Sequence, residues 1–203
     1  MAGYIFDIGN VIQPVTWQEA ARVLNVSPEQ YEAALRKDRR THFDRYERSE
    51  IPKERFATFV LQNLGLEVTD DNLKLFSDSL MQLWGVPDSR LITIIQSLPT
   101  AAKKAILSDC CPELEARARS FEGTELDYLH LFAQNVFLSH KINAKKPERR
   151  AYAKVSKALG LEPKECYVID DKTENITAAI GYGYKGILYE NPKQLEAILS
   201  AHK

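Results

Sequence analysis

Four short stretches of the chain carry groups that could do chemistry. In YIFDIGNVI (4–12), Asp7 follows an apolar run and stands just before Gly9-Asn10. A run that short reads as a buried strand, and Gly-Asn ends it in a tight loop. Asp7 is therefore expected at the carboxyl end of a strand, where open α/β sheets hold their ligands. CYVIDDKTEN repeats the design, with an apolar strand at 166–169 followed by Asp170 and Asp171. Ser108 ends the run KAILS, and Lys146 lies in KKPE shortly after the run NVFLS. The three acids are hard oxygen ligands that suit Mg²⁺ rather than zinc. They would repel one another without a cation or a lysine among them. A phosphate dianion approaching a carboxylate nucleophile meets the same repulsion, which a metal and a lysine relieve. Ser108 would then hydrogen-bond a phosphoryl oxygen. The chemistry that uses all four stretches is phosphoryl transfer through an aspartyl-phosphate on Asp7.

The elements that must position these groups are legible as patterns. Strands are expected at 4–8, 104–108, 135–139, 167–171 and 185–190. Pro147 is expected at the first turn of a helix whose inner face carries Ala151, Val155 and Leu159 and which Gly160 closes. Asn191-Pro192 opens another, with Leu195, Ile198 and Leu199 inward. Alternation of strand and helix with short loops implies βαβ units, hence an α/β fold with a doubly wound, Rossmann-like parallel sheet. Residues 14–87 break the rhythm. Ser27-Pro28-Glu29-Gln30 is a capping box with Val26 and Tyr31 placed as a staple. Phe56, Phe59, Val60 and Leu64, then Leu73, Phe76, Leu80 and Leu83, recur at helical spacing. We expect a small helical-bundle cap over 14–87 inserted into an α/β core of 1–13 and 88–203. An insert leaving beside Asp7 would lie over the site as a lid.

Composition narrows the function classes. The 203 residues suit one domain or one domain with an insert, and 27 Lys/Arg against 28 Asp/Glu give a net charge of −1. The charges are scattered, which argues against nucleic acid or a polybasic membrane surface as partner. No apolar stretch approaches a membrane span, and no signal peptide is visible at the start. Three cysteines, two of them adjacent (Cys110, Cys111), make neither a disulfide framework nor a zinc site. The expectation is a cytoplasmic protein with reduced thiols. Its oligomeric state is open.

The constellation resembles the haloacid dehalogenase superfamily. FDIGNVI looks like its first motif, AILSD its second, KKPE its third and IDDKTENITAAIGYG its fourth, so the likeness runs along nearly the whole chain. The segment FDRYERSEIPKERFA resembles a cap segment of glucose-1-phosphatase-like members. The resemblance implies that Asp7 is nucleophile and magnesium ligand, with the Gly9 carbonyl and Asp170 as further ligands and Asp171 supporting the metal shell. It implies that Ser108 and Lys146 bind the phosphoryl group, with Asp109 beside them. Asn10 and Asn175 would then support the loops. The small phosphorylated metabolite so expected is most plausibly a sugar phosphate.

One position departs from the pattern. Most phosphatases of that family carry a general-acid aspartate two residues after the nucleophile; here Gly9 stands there. A missing general acid typically costs roughly 10²–10⁴-fold in rate. A substrate with a better leaving group, such as an anomeric phosphate, would fit Gly9. Two rival readings remain open: a phospholigand-binding pseudophosphatase, and a 2-haloacid dehalogenase, against which Asp170 and Asp171 argue by repelling a halocarboxylate. On the cap, His42, Asp44, Arg45 and Arg48 form a polar cluster, and Arg45 is the expected substrate contact. Lys145 competes with Lys146 for the inward position, and the Lys-Pro match favours Lys146. Trp84 is expected in the core, and His130, His140 and His202 show no catalytic spacing.

Overall fold

The computed structural model describes residues 2–201; His202 lies outside them. Five strands form one parallel sheet: β1 (Gly3–Phe6), β2 (Lys103–Ser108), β3 (Val136–Leu138), β4 (Cys166–Asp170) and β5 (Lys185–Leu188). Their spatial order is β3-β2-β1-β4-β5, with Phe6 beside both Ile106 and Ile169. The chain builds outward from β1 to β3, then returns to β1's other side for β4 and β5. Right-handed crossovers running in opposite directions must place their helices on opposite faces. The helices divide accordingly. Helices at Ser89–Ser97, Pro112–Arg119 and Pro192–Ser200 pack with Tyr4, Phe6, Ile106 and Ile169. Those at Arg149–Leu159 and Thr173–Gly181 pack with Ile5, Ala105, Leu107 and Val168. Alternate residues of β1 thus feed two cores, the pattern of a sheet covered on both sides.

The strand ends differ by a residue or two from expectation, and the reason is local. Asp7 still donates its N–H to Ile169 O (3.0 Å), but the Ile8 carbonyl then gathers the N–H groups of Val11, Ile12 and Gln13. That knot turns the chain, with Asn10 left-handed at φ 56°. Asn tolerates this conformation better than most residues. Pro147 is not in the first turn of its helix. The N-cap is Glu148, and Pro147 precedes it, joined to Lys146 by a cis peptide bond. Gly160 does close that helix, at φ 62°. Gly186 on β5 is needed for packing, because a Cβ there would lie 2.7 Å from Ile176 Cγ2.

Between β1 and the helix at Ser89 lie α1 (Trp17–Val23), α2 (Pro28–Arg36), α3 (Phe43–Tyr46), α4 (Lys53–Asn63) and α5 (Asp70–Gln82). The Ser27–Gln30 capping box forms as expected. Phe56, Val60, Phe76 and Leu80 are buried together with Tyr31, whose hydroxyl bonds Ser79 (2.8 Å). Two stems carry this cap. Thr16 N–H reaches Leu83 O and Gly85 N–H reaches Pro14 O, each at 2.8 Å, and Val15 bridges Trp84 antiparallel.

Candidate active site

The switch point between β1 and β4, where the winding reverses, is where such sheets open a crevice. Asp7 and Asp170 stand there at neighbouring strand ends, and Lys146 joins them. Its Nζ lies 2.6 Å from Asp170 Oδ2 and 2.8 Å from Asp7 Oδ2, with all three side chains buried. Burial would depress the lysine pKa, but Asp7 and Asp170 outweigh it and hold it raised and charged. Burial pushes Asp7 up to about 6; Lys146 opposes that rise and Asp170 adds to it. Asp7 Oδ1 accepts the Ile8 N–H (2.7 Å). Asp170 is held by Lys172 N–H and by Asn175 Nδ2, both at 2.9 Å to Oδ1. Asn175 is thereby tied to the acid through its side-chain amide.

Asp171 joins through Asn10, whose Nδ2 donates to Asp171 Oδ2 (3.1 Å) while its Oδ1 accepts the Val15 N–H (3.0 Å). Asn10 so ties the first loop, the fourth loop and the cap stem together. Asp7, Asp170 and Asp171 each bring one carboxylate oxygen within 4.8 Å of the others. Asp171 Oδ1 is buried with no hydrogen-bond partner among the described residues. Such an orphan is costly unless a ligand completes it. An all-oxygen set with one unspent acceptor fits a small hard dication such as Mg²⁺.

Ser108 presents the complementary orphan. Its hydroxyl is buried at the end of β2 with no partner among the described residues. Asp109 accepts the Lys146 N–H (2.9 Å), which fixes the lysine's backbone to the second loop. Its carboxyl is raised by burial against the pull of Lys146 and Lys145. Lys146, rather than Lys145, is the inward lysine. Lys145 turns to the cap, 2.8 Å from Asp44 and 2.5 Å from Glu47.

The cleft between core and cap has a volume of about 130 Å³. Its floor is Asp7, Gly9, Asn10, Asp109 and Lys172; its roof includes Trp17, Arg36, Arg39, Phe43 and Glu47, with Trp84 at the stem. The expected contact Arg45 is not there. It sits 3.4 Å from Glu50, and it does not line the cleft. Arg48 pairs with Glu50 and Glu148, and His42 stacks on Phe59 at 3.5 Å between ring centroids. Arg39 takes the place given to Arg45, held by Asp44 at 2.9 Å. Sequence spacing could not separate these arginines, because Arg39 and Arg48 lie in turns on either side of the single-turn α3 that carries Arg45. Trp84 is buried in the core as expected, yet it also borders the cleft. The signal for that was its place at the stem, immediately before Gly85.

His140, without apparent role in the sequence, bonds the Cys110 carbonyl through Nδ1 and Glu115 through Nε2, both at 2.9 Å. Ser139 Oγ accepts the Cys110 N–H (2.9 Å). This clamp holds the loop after Ser108. Burial raises the Cys110 thiol well above its usual range, so a thiolate role has no support.

The family model for haloacid dehalogenase-like hydrolases matches residues 3–183, and the chain belongs to that family. Among solved structures, HAD family enzyme bt-2542 of Bacteroides thetaiotaomicron superposes with a TM-score of 0.78. It shares 16% identity over 98% of each chain. Its wild-type form is also known in complex with magnesium and inorganic phosphate. The L-2-haloacid dehalogenase of Xanthobacter autotrophicus is similar at TM-score 0.68 and 18% identity, over 100% of this chain and 84% of that one. A shorter likeness, 38% over 64 residues, links the chain to flavin mononucleotide hydrolase 1 of Arabidopsis thaliana. It spans 32% of this chain and 26% of that protein. Among the described residues no helix is long and apolar enough to cross a membrane.

Proposed function

We propose that this hydrolase is a Mg²⁺-dependent phosphatase of a small phosphorylated metabolite, acting in the cytoplasm through an aspartyl-phosphate on Asp7. The observation that carries the reading is a pair of unspent buried groups at the strand ends that carry this cluster. Ser108 offers a donor hydroxyl at the end of β2, and Asp171 an acceptor oxygen just past the end of β4, while Asp7, Lys146 and Asp170 pair with one another. Asp7, Asp170, Asp171 and the Gly9 carbonyl would hold the ion, which when bound would neutralise phosphoryl charge and orient the group for in-line attack.

The chain's own residues supply the rest. An Asp7 carboxylate oxygen attacks phosphorus and the bond from phosphorus to the ester oxygen breaks, its electron pair leaving with that oxygen. Lys146 and Ser108 hold the phosphoryl oxygens as charge moves onto them. Water then attacks phosphorus, the acyl-phosphate bond breaks, and Asp7 regains its carboxylate as inorganic phosphate leaves. The cap excludes bulk water from this centre. A cleft of about 130 Å³, room for about four waters at roughly 30 Å³ each, suits a small leaving group. The third carboxylate weighs against dehalogenation, since a halocarboxylate would meet three anions rather than one.

The test is phosphate release from hexose 1- and 6-phosphates, nucleoside monophosphates and flavin mononucleotide, with Mg²⁺ and with EDTA. Metal-dependent release from a narrow group of small esters is expected. No release from any of them by folded, magnesium-bound protein would instead favour a phospholigand-binding module.

A further inference from the structure

Gly9 leaves the site without the usual acid, and the structure shows what stands in that space. A Cβ built on Gly9 would lie 3.4 Å from Trp84 Nε1 and 4.0 Å from Cε2, so the indole presents its N–H edge to Gly9. Trp84 is 3% exposed, and it lines the cleft with Asp7. Among the described residues no acceptor meets its indole N–H; the backbone pairs opposite Val15 at the stem, and its carbonyl accepts Arg117 Nε (3.0 Å). The ring is buried, but its Nε1 is not among the fully buried unpartnered polar atoms, so the N–H is open to the cleft. An open one beside the nucleophile is a donor awaiting a ligand.

We propose that the Trp84 indole N–H donates to the departing ester oxygen, taking the place but not the chemistry of a general acid; this rests on the phosphatase reading above. An indole N–H donates a hydrogen bond and keeps its proton. It stabilises negative charge on the leaving oxygen without neutralising it. As the phosphorus–oxygen bond breaks, the electron pair stays on that oxygen, which takes its proton from water after departure. The substrates so selected are phosphate esters of acidic hydroxyls, in which the oxygen is hemiacetal, enolic or phenolic rather than an ordinary alkanol. The stem fixes the position of the ring, because Thr16, Val15 and Gly85 pair the strand on both sides of it. A preorganised donor of this kind acts without reorganisation when charge develops.

The experiment is kcat/KM, which reports formation of the aspartyl-phosphate, for aryl phosphates of graded phenol pKa and for an alkyl phosphate, with Mg²⁺. It is run on the wild type and on Trp84→Phe, with thermal melting and calorimetric binding of inorganic phosphate on both. The wild type should respond steeply to leaving-group pKa and be poorest on the alkyl ester. Trp84→Phe should bind phosphate unchanged, keep KM within a few-fold and lose about 100-fold in kcat/KM on the poorer leaving groups, the scale of one preorganised donor. The loss should shrink as the phenol becomes more acidic. A wild-type rate indifferent to leaving-group pKa would show that a true acid protonates the oxygen and would overturn the proposal without needing the variant. An equal loss on every ester, or none, would also overturn it. A wild type that binds phosphate but hydrolyses no ester would instead defeat the phosphatase reading itself.

Discussion

At the scale of single residues, two atoms of Lys146 hold the site together. Its Nζ spans Asp7 and Asp170, and its N–H is taken by Asp109, so one residue joins three strand-end loops. Removing the charge by Lys146→Met strands two buried carboxylates. It should cost about 3–5 kcal/mol of stability, the usual penalty for leaving one side of a buried pair uncompensated. Thermal melting checks this, and added Mg²⁺ should recover part of the loss by binding only the folded state. Asp7→Asn should keep the fold and abolish phosphate release. Retained turnover in that variant would remove Asp7 from the chemistry. Most of these residues were legible because each lies beside a short signature: Asp7 and Asp170 at strand ends next to Gly9-Asn10 and Asp171, Lys146 in the loop before Pro147. The arginine was not. Arg39 and Arg45 share the cap's short helical turn region, and only docking of cap on core decides which faces the cleft.

At the scale of elements, the second loop shows how a strand end is held. The helix at Pro112–Arg119 brings Glu115 to His140, and the same carboxylate pairs with Arg119 (2.7 Å) and Lys141 (2.5 Å). Burial would raise Glu115, but the bonds from Lys141, Arg119 and His140 outweigh it and lower its pKa in the folded protein. A carboxylate lowered on folding stabilises above its unfolded pKa, and that contribution fades as pH falls through the folded value. Glu115→Gln should therefore cost roughly 1–3 kcal/mol at neutral pH. The difference should vanish in acid, below the ordinary glutamate range, when unfolding is followed against pH. Equal destabilisation at all pH values would contradict the ionic origin of the clamp. None of this was visible in sequence, since His140 and Glu115 are 25 residues apart and meet only because β3 pairs beside β2. The strands themselves were legible from apolar runs; the end of β1 shifted where the Ile8 carbonyl knot overrides simple patterning.

At the scale of the whole molecule, chemistry and selection are divided between two layers. The core supplies the charged groups that act on the nucleophile, and the cap supplies the roof with Arg36, Arg39 and Glu47. Lys145 ties them, reaching Asp44 and Glu47 on the cap side while lying 3.9 Å from Asp109. The parallel α/β sheet and the helical insert could be read in advance, because each follows from local periodicity, whereas the strand order could not. The cleft lining could not, since it depends on how two independently folded patterns meet. The central claim is that Asp7 becomes covalently phosphorylated. Its most direct test is acid quench of the Mg²⁺-loaded protein during turnover of a substrate found in the panel, followed by mass spectrometry of its peptides. The account predicts an acid-stable, hydroxylamine-labile phosphoryl group on the peptide that carries Asp7, absent from Asp7→Asn. Phosphate release at full rate with no phosphoryl group ever detected on that peptide would contradict it.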